Sequence, residues 1–239
     1  MIRFPIQSCK KGESSYPKTL AQIAKVPETL YYIGDIGLLN EKSSVAVIGM
    51  RNASKHGMET SYQIGRLVAE KAMITVNGLA IGCDTAALQG ALAEDGKCVA
   101  VMPCGLDRLY PRSNQKLAER ILEKGGCLIS EYEVGITPQK PYFVERDRLQ
   151  SGISRGVIVV EAEENGGTIH TAKFALRQYR RLACYYSALL EHPSGNISIL
   201  NAGKGERLES MEAVRNFLDE ILNEETYEQL SFFQEKNIE

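Results

Sequence analysis

Gly49 and Arg51, at the end of the short apolar run Val45–Ile48, form a pair suited to holding a phosphate. Glycine lets the backbone approach an oxyanion with no Cβ in the way, and a guanidinium makes a forked contact that an ammonium cannot. Two more segments of this kind follow: Asn77-Gly78-Leu79-Ala80-Ile81-Gly82-Cys83-Asp84 and Asn165-Gly166-Gly167-Thr168. Ser54 and Thr168 add hydroxyls. Each segment precedes residues with helical periodicity, and a helix start offers unpaired N–H groups and a positive dipole end to an anion. Three such loops on one rim point to a phosphate-bearing ligand larger than a single ion.

Arg146-Asp147-Arg148 is a second basic cluster, just before the apolar run Val157–Val160. With Arg146 and Arg148 facing the rim it extends the positive surface, and Asp147 between them partly neutralises it. Tyr142 and Phe143 provide a stacking face for a base or, on the plainer reading, core contacts. Asp84 reads either as the cap of the next helix or as a contact to a ribose or base hydroxyl. Arg51, equally, suits any surface βα turn. Glu131 and Glu161 end strands near the same rim and are the acids available for hydrolysis. His170 has no partnered Ser, Cys or Asp in the sequence around it, so no catalytic residue is assigned. The dinucleotide fingerprint G-x-G-x-x-G is absent after the first run, which disfavours a nicotinamide cofactor. Six cysteines without a C-x-x-C pair and three scattered histidines exclude the usual zinc spacings and suit reduced core thiols in a cytoplasmic protein. Neither metal nor cofactor is expected.

The elements that position these residues follow from periodicity. Val45–Ile48, Met73–Val76, Cys98–Met102, Cys127–Ile129, Val157–Val160 and Leu182–Tyr186 read as strands buried on both faces. Between most of them the pattern turns helical. One helix is capped by Ser54 and runs to about Lys71. A second starts near Asp84, a third opens at Ser113 or Asn114 and closes at Gly125-Gly126, and a fourth begins at Thr168 or Thr171. This alternation predicts an α/β fold with a doubly wound, mostly parallel sheet of the extended Rossmann-like kind. Residues 1–44 are expected as an N-terminal extension, with a short helix and an extended segment packing on the core. Residues 45–205 form the Rossmann-like domain and 206–239 an acidic helical tail with one amphipathic helix over Met211–Leu222.

With 44% apolar and 24% charged residues the chain has the composition of a folded globular protein, and its apolar runs are far too short to span a membrane. The N-terminus lacks an apolar stretch of signal-peptide length. The net charge of −2 conceals an asymmetry: from Glu206 to Glu239 ten acids face three bases, which leaves the rest at +5. That permits nucleic-acid binding through a local patch without requiring it.

Taken in order, the motifs resemble the DprA/Smf family of DNA-processing proteins. The likeness runs from Tyr16-Pro17 and Gly34-Asp35 through Gly49-x-Arg51-x-Ala53-Ser54, Gly78-Leu79-Ala80-x-Gly82-x-Asp84 and Gly105-Leu106-Asp107 with Tyr110-Pro111. It continues through Ser130-Glu131, Arg146-x-Arg148, Ser151-Gly152-Ile153-Ser154 and Gly167-Thr168-Ile169-x-Thr171 to Ala202-Gly203. The resemblance implies a cytoplasmic, dimeric, non-enzymatic protein that binds single-stranded DNA in a phosphate-holding pocket. It implies that such a protein shields incoming strands in natural transformation and helps load the RecA recombinase. It carries the pocket onto Gly49, Arg51, Ser54, Gly78, Gly82, Arg146, Arg148, Gly167 and Thr168. Departures from the family pattern fall at Met50 (usually Ser or Thr), Leu88 (usually His) and Asp147 (usually Asn), with Tyr185-Tyr186-Ser187 in place of Val-Pro-Gly. Segments 1–15 and 206–239 are too short for the N-terminal helical and C-terminal winged-helix domains of many members. The alternative is a nucleotide sensor or phosphoribohydrolase-like enzyme using the same rim. Against hydrolysis, His170 and Thr171 follow the third loop where those enzymes carry acids.

Overall fold

The computed structural model describes residues 4–236, with side-chain surroundings to residue 224. The outermost ends of the expected extension and tail lie outside the described residues. Among the described residues nine strands form one sheet: β1 (Gln7–Lys10), β2 (Thr29–Gly34), β3 (Ser44–Ile48), β4 (Ile74–Asn77), β5 (Cys98–Val101), β6 (Cys127–Ser130), β7 (Gly156–Val159), β8 (Arg181–Tyr185) and β9 (Glu206–Leu208). Their order is β1-β2-β6-β5-β4-β3-β7-β8-β9. The seven strands from β6 to β9 in that order pair in parallel, and β1 and β2 add antiparallel at one edge. The doubly wound, mostly parallel sheet predicted from the alternation is therefore present.

The six apolar runs become the central strands because each is wrapped on both faces. Alternate residues feed opposite layers. Ala46, Ile48, Val157 and Val159 face the layer containing Leu20, Leu30, Leu149 and Ala172, whereas Val45, Val47 and Ile158 face Ile64, Val68 and Phe217. Leu88, Leu117 and Ile121 close the second face farther along. The helices are α1 (Leu38–Glu41), α2 (Lys55–Glu70), α3 (Cys83–Ala93), α4 (Gln115–Glu123), α5 (Lys140–Ile153), α6 (Thr168–Arg177), α7 (Ser194–Asn201) and α8 (Met211–Lys236).

Three features differ from the sequence expectation. Residues 29–34 enter the sheet, pairing Tyr31 with Ser130 and Tyr32 with Ile129, where a segment packing on the core was expected. Residues 140–153 are helical, although the sequence pattern gave no helix there. The reason is visible in its buried face, which carries Arg146, Asp147, Arg148, Gln150 and Ser151 and so erases the apolar period. The edge strands β1 and β9 and the short helix α7 were also missed, being too short for periodicity to register.

Candidate functional site

From β3 the sheet grows one way through β4, β5 and β6, and from β7 the other way through β8 and β9. Neighbouring strands β3 and β7 thus send their connections to opposite faces, and a crevice opens at their carboxyl ends. A cavity of about 490 Å³ lies there, lined by the first loop (Gly49, Met50, Arg51), by Phe143, Arg146, Asp147 and Gln150 of α5, and by Gly166, Gly167, Thr168 and His170. A small annexe joins it, bounded by Arg51, Gly78, Tyr110, Phe143 and Arg146.

Arg146 is the central side chain. It is only 5% exposed, yet its Nη1 has no hydrogen-bond partner among the described residues. Its Nε lies 3.4 Å from Asp147 Oδ1. The guanidinium rests on Gly78 so closely that a Cβ there would sit 1.0 Å from Nη1. A buried, incompletely paired cation on a cavity floor is a strong attractant for an anion. Above it Arg51 is exposed and lies over the Phe143 ring at 5.3 Å from the centroid, and Tyr110 meets that ring edge-on. Gly167 opens α6, and a Cβ on it would touch nothing in the protein, so space beside the helix start is left free.

The second loop supports this floor. Gly82 has φ +81 and Leu79 φ +56, and Asn77 Oδ1 accepts from Leu79 N at 3.1 Å. Holding a buried leucine in the left-handed region costs energy that the surrounding fold must offset. Of the two readings of Asp84, the cap of α3 is not what the structure has, since Gly82 holds that position. Asp84 lies in the first turn, and its Oδ2 accepts from the backbone N–H groups of Gly78 at 3.0 Å and Ala80 at 3.2 Å, so it ties the loop back on the helix.

The cavity is not uniformly basic. Burial pushes the Asp84 carboxyl up to about 6, against the pull of Arg146 and the two backbone amides. Asp147 is pushed up to about 7 by burial, with Arg146 opposing and Asp84 adding to the rise. One buried guanidinium therefore acts on two buried carboxyls.

The remaining expected residues are placed as follows. Gly49, Arg51, Arg146, Gly167 and Thr168 line the main cavity, and Gly78 lines the annexe. Gly82 abuts the backbone of Met50 and Arg51, and Ser54 is buried. Ser54 Oγ accepts from Gly57 N at 3.0 Å, which makes it the cap of α2, and donates to Glu161 Oε2 at 2.9 Å. Arg148 is outside the cavity, paired with Glu131 and, at 3.2 Å, with Glu145. Burial raises the Glu131 carboxyl while Arg148 pulls it down. Tyr142 stacks on Tyr132, so of the two aromatics only Phe143 faces the cavity. Glu161 is fully buried and accepts from Ser54 and from the backbone N–H groups of Glu191 and His192 at 3.0 and 2.9 Å. Leu88 lies in the core. Sequence reasoning did not single out Gln150 or Tyr110. Tyr110 belongs to the family-like Tyr110-Pro111 motif, but nothing local marks it as facing Phe143 from 33 residues away.

The sequence profile of the DNA recombination-mediator protein A family matches residues 7–219. DNA processing protein DprA of Bacillus subtilis is 32% identical over 193 residues, which are 80% of this chain and 65% of that protein. DprA of Streptococcus pneumoniae is 36% identical over 179 residues, 75% of this chain and 62% of that protein. This chain thus spans less than two thirds of the length of these curated relatives. DNA processing protein A of Helicobacter pylori, whose structure was solved for its single-stranded DNA binding mode, superposes with a TM-score of 0.82 at 27% identity, covering 93% of this chain and 98% of that one. Among the described residues no helix is long and apolar enough to cross a membrane.

Proposed function

The chain belongs to the DNA recombination-mediator protein A family, and on that premise we propose that its rim cavity binds the backbone of single-stranded DNA. The observation that carries this reading is the buried guanidinium of Arg146, short of partners on the floor of an open cavity. Arg146 and Arg51 neutralise phosphates, and the Gly167–Thr168 helix start donates N–H groups to them. Phe143, backed by Tyr110, offers a face on which a base can stack. Such contacts ignore base identity, as a protein that covers any incoming strand requires. The role that follows is non-catalytic: shielding single-stranded DNA during uptake and passing it to a RecA-type recombinase, as a cytoplasmic homodimer. Glu161, an acid that hydrolysis could have used, has both oxygens engaged by the fold.

Fluorescence anisotropy with labelled oligothymidylate at a series of salt concentrations tests this. Log affinity should fall linearly with log salt, by about 0.7 for each phosphate neutralised. Arg146→Ala and Arg51→Ala should each weaken binding by roughly tenfold and flatten the slope by about 0.7. Negligible binding at low salt, or variants that leave the slope untouched, sinks the reading.

A further inference from the structure

The cavity floor puts carboxyls where an anion is to sit. Asp147 is 8% exposed and lines the cavity beside Arg146. Its Oδ1 accepts from Gln150 Nε2 at 2.7 Å, and Gln150 Oε1, on the same amide, is buried with no donor. The charged and titratable groups around it are Arg146 on its own helix, Asp84 from α3, Arg51 from the first loop, and Glu163 and His170 on the wall across the cavity. A phosphodiester entering beside Arg146 therefore meets two carboxyls and a single buried guanidinium. Asp84 accepts from two backbone amides, whereas among the described residues Asp147 has only the Gln150 amide and the Arg146 Nε beside it.

We propose that Asp147 takes up one proton from solvent as the anion enters, so that this cavity is a proton-coupled phosphodiester site and Asp147 determines the pH at which it fills. The inference rests on the cavity being the anion site. Protonation converts the carboxylate to a neutral acid and removes its repulsion of the phosphate. The free protein is already close to this step, since Asp147 is held at about 7. An incoming anion raises that value further, and linkage then makes affinity depend on pH.

The test is oligothymidylate affinity from about pH 6 to about pH 8.5 at constant ionic strength, a range in which the oligonucleotide backbone does not titrate. Wild-type affinity should be level below about pH 7 and fall toward tenfold per pH unit above it. Asp147→Asn, which keeps the acceptor for Gln150, should lose that slope and bind more tightly than wild type at the alkaline end. His170→Gln should keep the slope. A level wild-type profile, a slope surviving in Asp147→Asn, or a slope lost in His170→Gln overturns the proposal. Sulfate, which does not titrate here, is the second probe, read as ligand-induced thermal stabilisation. If oligothymidylate fails to bind at every pH while sulfate stabilises with the same slope, the DNA reading fails and the coupling stands. If both bind without a slope the coupling fails and the DNA reading stands, and if neither binds both fail.

Discussion

Arg146 owes its position to the absence of an atom. It lies across Gly78 where any Cβ would overlap Nη1, so Gly78→Ala must lift the guanidinium off its bed. The variant is expected to lose single-strand affinity about as far as Arg146→Ala does, roughly tenfold, with the salt slope flattened alike. Anisotropy alongside a thermal melt checks this; unchanged affinity with Arg146 intact would show that the approach is not needed. The sequence marked Gly78 for the right reason, close approach, but assigned the approach to a phosphate when the approaching group is a side chain of the protein. Arg148 teaches the complementary lesson. On a helix two residues apart are separated by about 200°, so Arg146 and Arg148 cannot share one face. Had residues 140–153 been read as helical, Arg148 would have been placed off the rim, where it pairs with Glu131 and Glu145.

Between elements, the first loop is fastened by a residue from the far half of the chain. Ser54 was legible as the cap of α2 because capping is a local rule, and its Oγ does accept from Gly57 N. The group that receives the Ser54 N–H and O–H, the carboxylate of Glu161, lies 107 residues away and left no local signal. Its other oxygen accepts from Glu191 and His192, so one buried carboxylate joins the starts of three segments after β3, β7 and β8. Glu161→Gln replaces an acceptor oxygen by an N–H₂ that faces N–H donors. The expected loss is about 2–4 kcal/mol of stability, mostly desolvation of donors left unpaired. A urea titration measures it, and a midpoint equal to wild type would show that the carboxylate is not holding these loops. The polar buried side of α5 hid that helix from the sequence for a related reason. Polar residues are buried there because they serve the cavity, and periodicity reads only apolar burial.

Over the whole molecule, the sheet was legible where strands are buried on both faces, and illegible at its edges. Val45–Ile48 and Val157–Val160 announce themselves as apolar runs; β1 and β9, four and three residues long and largely exposed, do not. The strand order placed β3 beside β7, and with it the cavity and its buried charges. Those charges make the stability of the whole fold depend on pH with a definite sign. Asp147 ionises near 4 in an unfolded chain and at about 7 in the folded one. Between those values the folded state binds more protons than the unfolded state, so stability falls as pH rises through the interval. The contribution is complete below about pH 4 and gone above about pH 7. At pH 8 the wild-type protein therefore carries a buried carboxylate that it holds less readily than water does, and Asp147→Asn removes it while keeping the Gln150 contact. The variant should be more stable than wild type at about pH 8 by on the order of 1–3 kcal/mol, a rise of several degrees in melting temperature. The two should converge as the pH approaches 4, where both side chains are neutral. A difference that is the same at both pH values, or a variant less stable than wild type at alkaline pH, would mean that Asp147 is held as a carboxylate by Arg146 and that the two form a settled ion pair.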